Sequence, residues 1–245
     1  MITLIILVLL WSFGGCPQPM TALLSCCIDL LTELFPATSL AFEKPEANIM
    51  YMKPRNIKID KLTNFKLLFY AYGVAGFGLT GGCYFTYFRI FGSYGISASD
   101  LFSQNNKYFP SVDGSDYQAP SSGKIFTADQ QNDILYQVYA AWFIMIVAGQ
   151  AAHIWFVRTT TVSIFEHGLF CNSYQNVAVL IAIGFGCFLI YTPGLREITQ
   201  ANTPDQFIIL ESSVMVAVYL VFVTEGRKLF TRNYPTHPLN KILAW

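Results

Sequence analysis

The stretch Cys27-Ile28-Asp29-Leu30-Leu31-Thr32-Glu33-Leu34-Phe35-Pro36 decides the fold. It sits inside an apolar run, 20–42, long enough to cross a bilayer, which takes ~20 mainly apolar residues. Asp29 and Glu33 are the only charged residues in 1–42. A spacing of four puts both carboxylates on one helix face, with Ser25, Cys26 and Thr32 near it. A carboxylate at the centre of a bilayer costs a few kcal/mol even on the lenient insertion scale, so two together require a reason. Pro36 supplies part of one. Proline has no amide hydrogen, so the Thr32 carbonyl four residues earlier loses its helix bond. Carboxylates beside a freed carbonyl and hydroxyls form an oxygen-rich site for a hard cation. The same carboxylates are also suited to binding protons, because desolvation and mutual repulsion both favour the protonated form. The structural alternative is a hydrogen-bonded pair, or one salt-bridged to a Lys of another helix.

The rest of the chain fits a membrane setting. Of 245 residues, 53% are hydrophobic and 12% charged, against ~25% charged in an ordinary soluble domain. The net charge is zero, from 15 basic and 15 acidic residues, which excludes nucleic-acid binding driven by bulk positive charge. High hydrophobicity excludes a disordered tail. The six cysteines form no CxxC pair and read as small apolar packing residues. Apolar runs at about 1–15, 20–42, 65–92, 133–158, 175–192 and 207–224 predict an all-α integral membrane bundle of about six spanning helices. The first run is short. No basic residue precedes it, so it reads as a truncated span rather than a signal peptide. Gly14-Gly15-Cys16-Pro17-Gln18-Pro19 marks a tight turn that makes the first two runs a helical hairpin.

Lysine and arginine set the orientation. Segment 43–66 carries Lys44, Lys53, Arg55, Lys58, Lys61 and Lys66, and the C-terminal tail carries Arg227, Lys228, Arg232 and Lys241. Loop 93–132 has only Lys107 and Lys124 against Asp100, Asp113, Asp116 and Asp129. The positive-inside rule places both chain ends and segment 43–66 in the cytosol and loop 93–132 outside. That loop is rich in Ser, Gly, Asp and Gln and reads as surface-like, functional or docked on something. Gln150 and His153 read as an interhelical hydrogen-bonding pair, with Gln150 also a further candidate cation ligand. Glu211 reads as an acid at the outer interface, and Gly78 and Gly82 as a close helix-packing GxxxG. The chain has no GxxxxGK[ST], HExxH or GxSxG motif.

The segment from Cys27 through Glu43 closely resembles the sixth membrane helix of cation-transporting P-type ATPases. The resemblance continues through Lys44-Pro45-Glu46-Ala47-Asn48-Ile49-Met50, Pro54-Arg55-Asn56, Asp60-Lys61-Leu62 and Gly81-Gly82-Cys83-Tyr84-Phe85-Thr86-Tyr87-Phe88. It extends to Val162-Ser163-Ile164-Phe165, Tyr191-Thr192-Pro193-Gly194 and Arg227-Lys228-Leu229. It covers nearly the whole chain and is specific to the sodium/potassium and gastric-type proton/potassium pump alpha subunits. It implies that residues 1–245 are the C-terminal transmembrane domain of such a subunit, family helices five to ten with helix five truncated. Asp29 and Glu33 then occupy the family's cation-coordinating positions for K+, Na+ or H+. The outer loop 93–132 matches the region that docks a beta subunit, and Ser115-Asp116-Tyr117-Gln118 resembles the family's Ser-Tyr-Gly-Gln there but lacks its Gly. A plasma-membrane location and the remainder of an alpha subunit as a partner follow from the same resemblance.

The departures narrow what is expected. Glu33 stands where the family usually has Asp. His153 aligns with the sodium pump's helix-eight acid, and Ile181 and Ala182 with its helix-nine acids. Leu4 falls where a helix-five acid is expected, and the tail ends Ile242-Leu243-Ala244-Trp245 in place of paired tyrosines. The aspartyl-phosphate motif Asp-Lys-Thr-Gly-Thr does not occur in the chain, so ATP hydrolysis is not expected of these residues by themselves. The leading expectation is the transport half of a P-type monovalent-cation pump. The alternatives are a stand-alone, non-enzymatic membrane protein that assembles with pump subunits and regulates them, or an independent transporter using Asp29 and Glu33 as a proton relay.

Overall fold

The computed structural model describes residues 9, 11–46, 64–102, 104, 108–111, 114–160, 162–168, 170–234 and 237. Most of the first apolar run, most of the basic segment 43–66 and the chain end lie outside the described residues.

Helix α1 spans Ala22–Phe42, α2 residues 65–94, α3 Ala128–Val157, α4 Ile164–His167, α5 Ser173–Tyr191, α6 Pro193–Thr199 and α7 Gln206–Asn233. The protein is an all-α membrane bundle. Among the described residues, α1, α3, α5 and α7 are long and apolar enough to cross a bilayer. Helix α2 has the length, but glycine and tyrosine dilute its hydropathy, and it is not among the four. The outward faces of α5 and α7 expose Leu180, Phe188, Phe207 and Phe222, as residues facing lipid should.

Polar residues at the starts set the helix boundaries. The Thr21 hydroxyl accepts from Leu24 N–H at 3.3 Å and opens α1. Thr127 and Gln130 form a reciprocal capping box that opens α3 several residues before its apolar face begins. The Asn172 side chain caps α5 by accepting from Gln175 N–H, and Asp205 caps α7 by accepting from Phe207 N–H. Gly95, at φ 88°, ends α2 in the left-handed conformation that glycine adopts without strain.

Helix α3 is the axis of the bundle and packs against α1, α2, α5 and α7. Trp142 on α3 meets Tyr84 edge-on at 5.0 Å, and Tyr87 stacks edgewise on Phe91. The Tyr87 hydroxyl donates to Pro17 O at 2.9 Å, tying α2 to the turn before α1. Small residues let α2, α3 and α7 approach closely. A Cβ on Gly78 would lie 1.9 Å from the Tyr219 ring, and one on Gly82 would lie 2.1 Å from Val216. The GxxxG reading therefore holds, with α7 as the helix received.

The loop between α2 and α3 is not merely surface chain. Leu101, Phe109, Tyr117 and Ala119 are fully buried within it. Strands β1, Tyr117–Gln118, and β2, Ile125–Phe126, pair antiparallel with Tyr117 opposite Phe126. The Asp100 carboxylate accepts from Ser97 N–H and Ser121 N–H and from the Ser121 hydroxyl, while Tyr117 Oη donates to Asp100 O at 3.1 Å. Composition misses this because a few aromatic anchors, not the many polar residues, fold the loop.

Candidate cation site

The site is built on a break in α1. Its helical winding loosens over Ile28–Thr32, where Glu33 N–H donates to Ile28 O, five residues back, at 3.0 Å. The Thr32 hydroxyl donates to the same carbonyl at 2.9 Å. One turn later Pro36 has no N–H to give Thr32 O, and Ala37 N–H takes Glu33 O instead. A second wide-wound stretch, Phe69–Gly76 of α2, lies across from the first. Two of its carbonyls accept from side chains: Tyr219 Oη donates to Val74 O at 3.0 Å and Thr80 Oγ1 to Gly76 O at 2.7 Å.

Between these stretches and α3 lies a cavity of about 150 Å³. Asp29 and Glu33 line it from α1, Tyr72 and Ala75 from α2, and Gln150 and His153 from α3. The Gln150 amide donates through Nε2 to Glu33 Oε1 at 3.1 Å, fixing one carboxylate from the opposite wall. Among the described residues no ion pair involves Asp29 or Glu33. Gln150 Oε1 and His153 Nε2 are buried and lack a hydrogen-bond partner among the described residues. A second cavity of about 210 Å³ adjoins the first. Thr32 and Pro36 line it, and it shares Glu33, Gln150 and His153 with the first.

The structure thus brings Asp29, Glu33 and Gln150 to one cavity and Thr32 with Pro36 to its neighbour. Among the described residues no three His, Cys, Asp or Glu side chains converge tightly enough to hold a metal ion by themselves. Ser115, Asp116, Tyr117 and Gln118 are elsewhere, in the loop between α2 and α3. Asp116 and Gln118 are exposed there and Ser115 is half-buried. Tyr117 is turned inward and fully buried. Its phenol lies beside Asp100 and is pushed up to about 12, first by burial and then by that carboxylate.

Sequence reading missed the α2 wall of the cavity and two charged hubs. The signal for the wall was Gly73 and Gly76 beside Tyr72 in an apolar run. At the end of α1, Glu43 receives Arg158 in a two-point contact, Nε to Oε2 at 2.9 Å and Nη2 to Oε1 at 2.8 Å. Asn172 Nδ2 donates to Oε2 at 2.9 Å and His167 Nε2 meets Oε1 at 3.1 Å. Burial pushes the Glu43 carboxyl up, but these hydrogen bonds and the Arg158 charge outweigh it and hold the group at about 2. The second hub is Lys228 on α7, whose ammonium reaches Glu225, Thr159 Oγ1 and Phe156 O. Glu211 is not solitary either: Arg89 stands 3.7 Å away, both half-exposed.

Residues 17–230 match the family model described as the C-terminus of cation-transporting ATPases. The chain is 32% identical over 230 residues to the sodium/potassium-transporting ATPase subunit alpha-B of Artemia franciscana, covering 93% of this chain and 22% of that protein. It is 30% identical over 231 residues to the human sodium/potassium-transporting ATPase subunit alpha-4, with 93% and 22% covered. It is 31% identical over 232 residues to the potassium-transporting ATPase alpha chain 2 of Oryctolagus cuniculus, with 93% and 20% covered. The chain spans about a fifth of the length of these relatives. With its multi-pass helical bundle, the chain belongs to the cation-transporting P-type ATPases and corresponds to the C-terminal membrane region of the sodium/potassium and potassium pump alpha subunits.

Proposed function

We propose that this chain is the transport half of a monovalent-cation pump and that Asp29 and Glu33 are its acidic cation ligands. The observation that carries the reading is the shared cavity. Two carboxylates and a buried amide oxygen line one cavity between α1, α2 and α3, with no cation from the described residues to neutralise them. Inside a membrane such acids need a counter-charge, and a K+, Na+ or H+ cargo supplies it. The Gln150 amide orients Glu33, and Gln150 Oε1 and the Thr32 carbonyl are further oxygen ligands. In this reading six spans leave both chain ends in the cytosol of a plasma-membrane protein. The outer loop 93–132 receives a beta-type subunit through Asp116 and Gln118, and the rest of an alpha subunit provides ATP hydrolysis.

The test puts Asp29→Asn and Glu33→Gln, singly and together, into a full-length pump carrying this C-terminal half. Cation-stimulated dephosphorylation and detergent thermostability are both measured. A sharp fall in ion affinity with each change, and little shift in melting, is expected. Normal ion dependence in the double variant would sink the cation site. Melting lower by the equivalent of ~3–5 kcal/mol would assign the acids to a structural ion pair instead.

A further inference from the structure

His153 is the one titratable side chain on α3 that faces both cavities, and the proposed cation site does not account for it. Its Nε2 is sealed from solvent and has no hydrogen-bond partner among the described residues. An unpaired polar atom in an apolar interior is costly, so an imidazole held this way needs a partner that the described residues do not provide. Gln150 Oε1, one turn away on the same helix, is in the same condition. Both atoms border the space that Asp29 and Glu33 enter from the other side.

The volume and the spacing identify the partner. The cavity of about 150 Å³ has room for water beside an ion, and Glu33 is exposed at it. The acids and His153 do not converge closely enough to grip one ion directly. Water must therefore bridge the remaining gap, and water is also what satisfies an orphaned imidazole nitrogen. An imidazole nitrogen is a poor direct ligand for a hard alkali cation, which prefers oxygen.

We propose that His153 is a ligand-positioning residue of the cation site: through Nε2 it holds a water in the inner shell of the cargo, so the site takes a partly hydrated monovalent cation rather than a bare one. The proposal rests on the reading of Asp29 and Glu33 as cation ligands. On this account Glu33 and Gln150 meet the ion directly while His153 fixes its water from the α3 wall. The ion's remaining hydration then fills the space between α1 and α2.

The whole 245-residue chain, reconstituted in lipid nanodiscs, is the sample, and Rb+ is the probe. Equilibrium Rb+ binding is measured for the wild-type chain, Glu33→Gln, His153→Ala and His153→Gln, with thermal melting of each. Imidazole 15N spectra of histidine-labelled chain are recorded with and without Rb+. His153→Ala should weaken Rb+ binding about tenfold, as expected for one hydrogen bond. His153→Gln keeps a polar atom at that distance and should restore affinity to within about threefold while melting like the alanine variant. Rb+ should shift the 15N resonance of one imidazole, and that response should vanish in both His153 variants. If the wild type binds Rb+ and Glu33→Gln abolishes binding, but His153→Ala binds as the wild type does, the water-holding role is wrong and the acidic site stands. If the wild type does not bind Rb+, or Glu33→Gln binds normally, the acidic site falls and this proposal falls with it. An affinity loss shared by His153→Ala and His153→Gln, tracking lowered melting and without an imidazole response, would make His153 a packing residue and overturn the proposal.

Discussion

Replacing Glu43 by Gln tests the hub that closes the end of α1. Arg158 is completely buried beneath it, and the Glu43 side chain is 14% exposed. The carboxyl is lowered from an ordinary 4.5 to about 2. At about 1.4 kcal/mol per pH unit, that difference is worth about 3 kcal/mol of stability near neutrality. The figure agrees with the ~3–5 kcal/mol expected when one member of a buried pair is left without its partner. The sign follows from the direction. A carboxyl lowered by folding contributes in full above the unfolded value of 4.5 and loses that contribution as pH falls towards 2. Glu43→Gln in detergent at pH 7 should therefore melt about 6–12 °C below the wild type, taking about 2–4 °C per kcal/mol for a chain of this size. The gap between the two proteins should close as the wild type is titrated from pH 4.5 to pH 2. Differential scanning fluorimetry across that range reads both effects. A variant melting within about 1 °C of the wild type at pH 7, or a gap that does not narrow in acid, would refute the argument.

Two further outcomes are expected. Gly78→Ala should destabilise the bundle by about 1–3 kcal/mol, because its new methyl meets the Tyr219 ring, and a Gly78→Ala/Tyr219→Ala double variant should lose less than the sum of the single changes in the same melting assay. A tag inserted beside Gly123, at the exposed tip between β1 and β2, should be labelled on intact cells; labelling only after permeabilisation would invert the orientation assigned to loop 93–132.

What the sequence made legible divides by range. Asp29 and Glu33 stood out because nothing near them in sequence was charged, and Pro36 announced a lost bond by chemistry alone. Gly78 and Gly82 declared a close approach, though not that Tyr219 and Val216 would fill it. The wide winding at Ile28–Thr32 left no local mark, because an extra residue in a helical turn is chosen by what the helix packs against. The Glu43 hub was hidden for another reason. Its partners lie 115 to 129 residues away, and each looks like an ordinary solvated residue at the end of an apolar run. The burial of Tyr117 was not legible because neighbours on a strand face opposite ways: it points in while Gln118 points out, and composition carries no phase.

The wide turn in α1 also governs which changes in chain length the helix can accept. An α-helix advances about 100° and about 1.5 Å for each residue, so deleting one almost anywhere along α1 would swing everything beyond it away from its neighbours. Within Ile28–Thr32 the surplus residue is already present. A deletion there is absorbed by tightening that turn to ordinary winding, and Pro36 and Ser39 keep their seats against the bundle. An insertion has no such reserve. Natural length variants of this helix should therefore be shorter by one at that turn, and seldom longer.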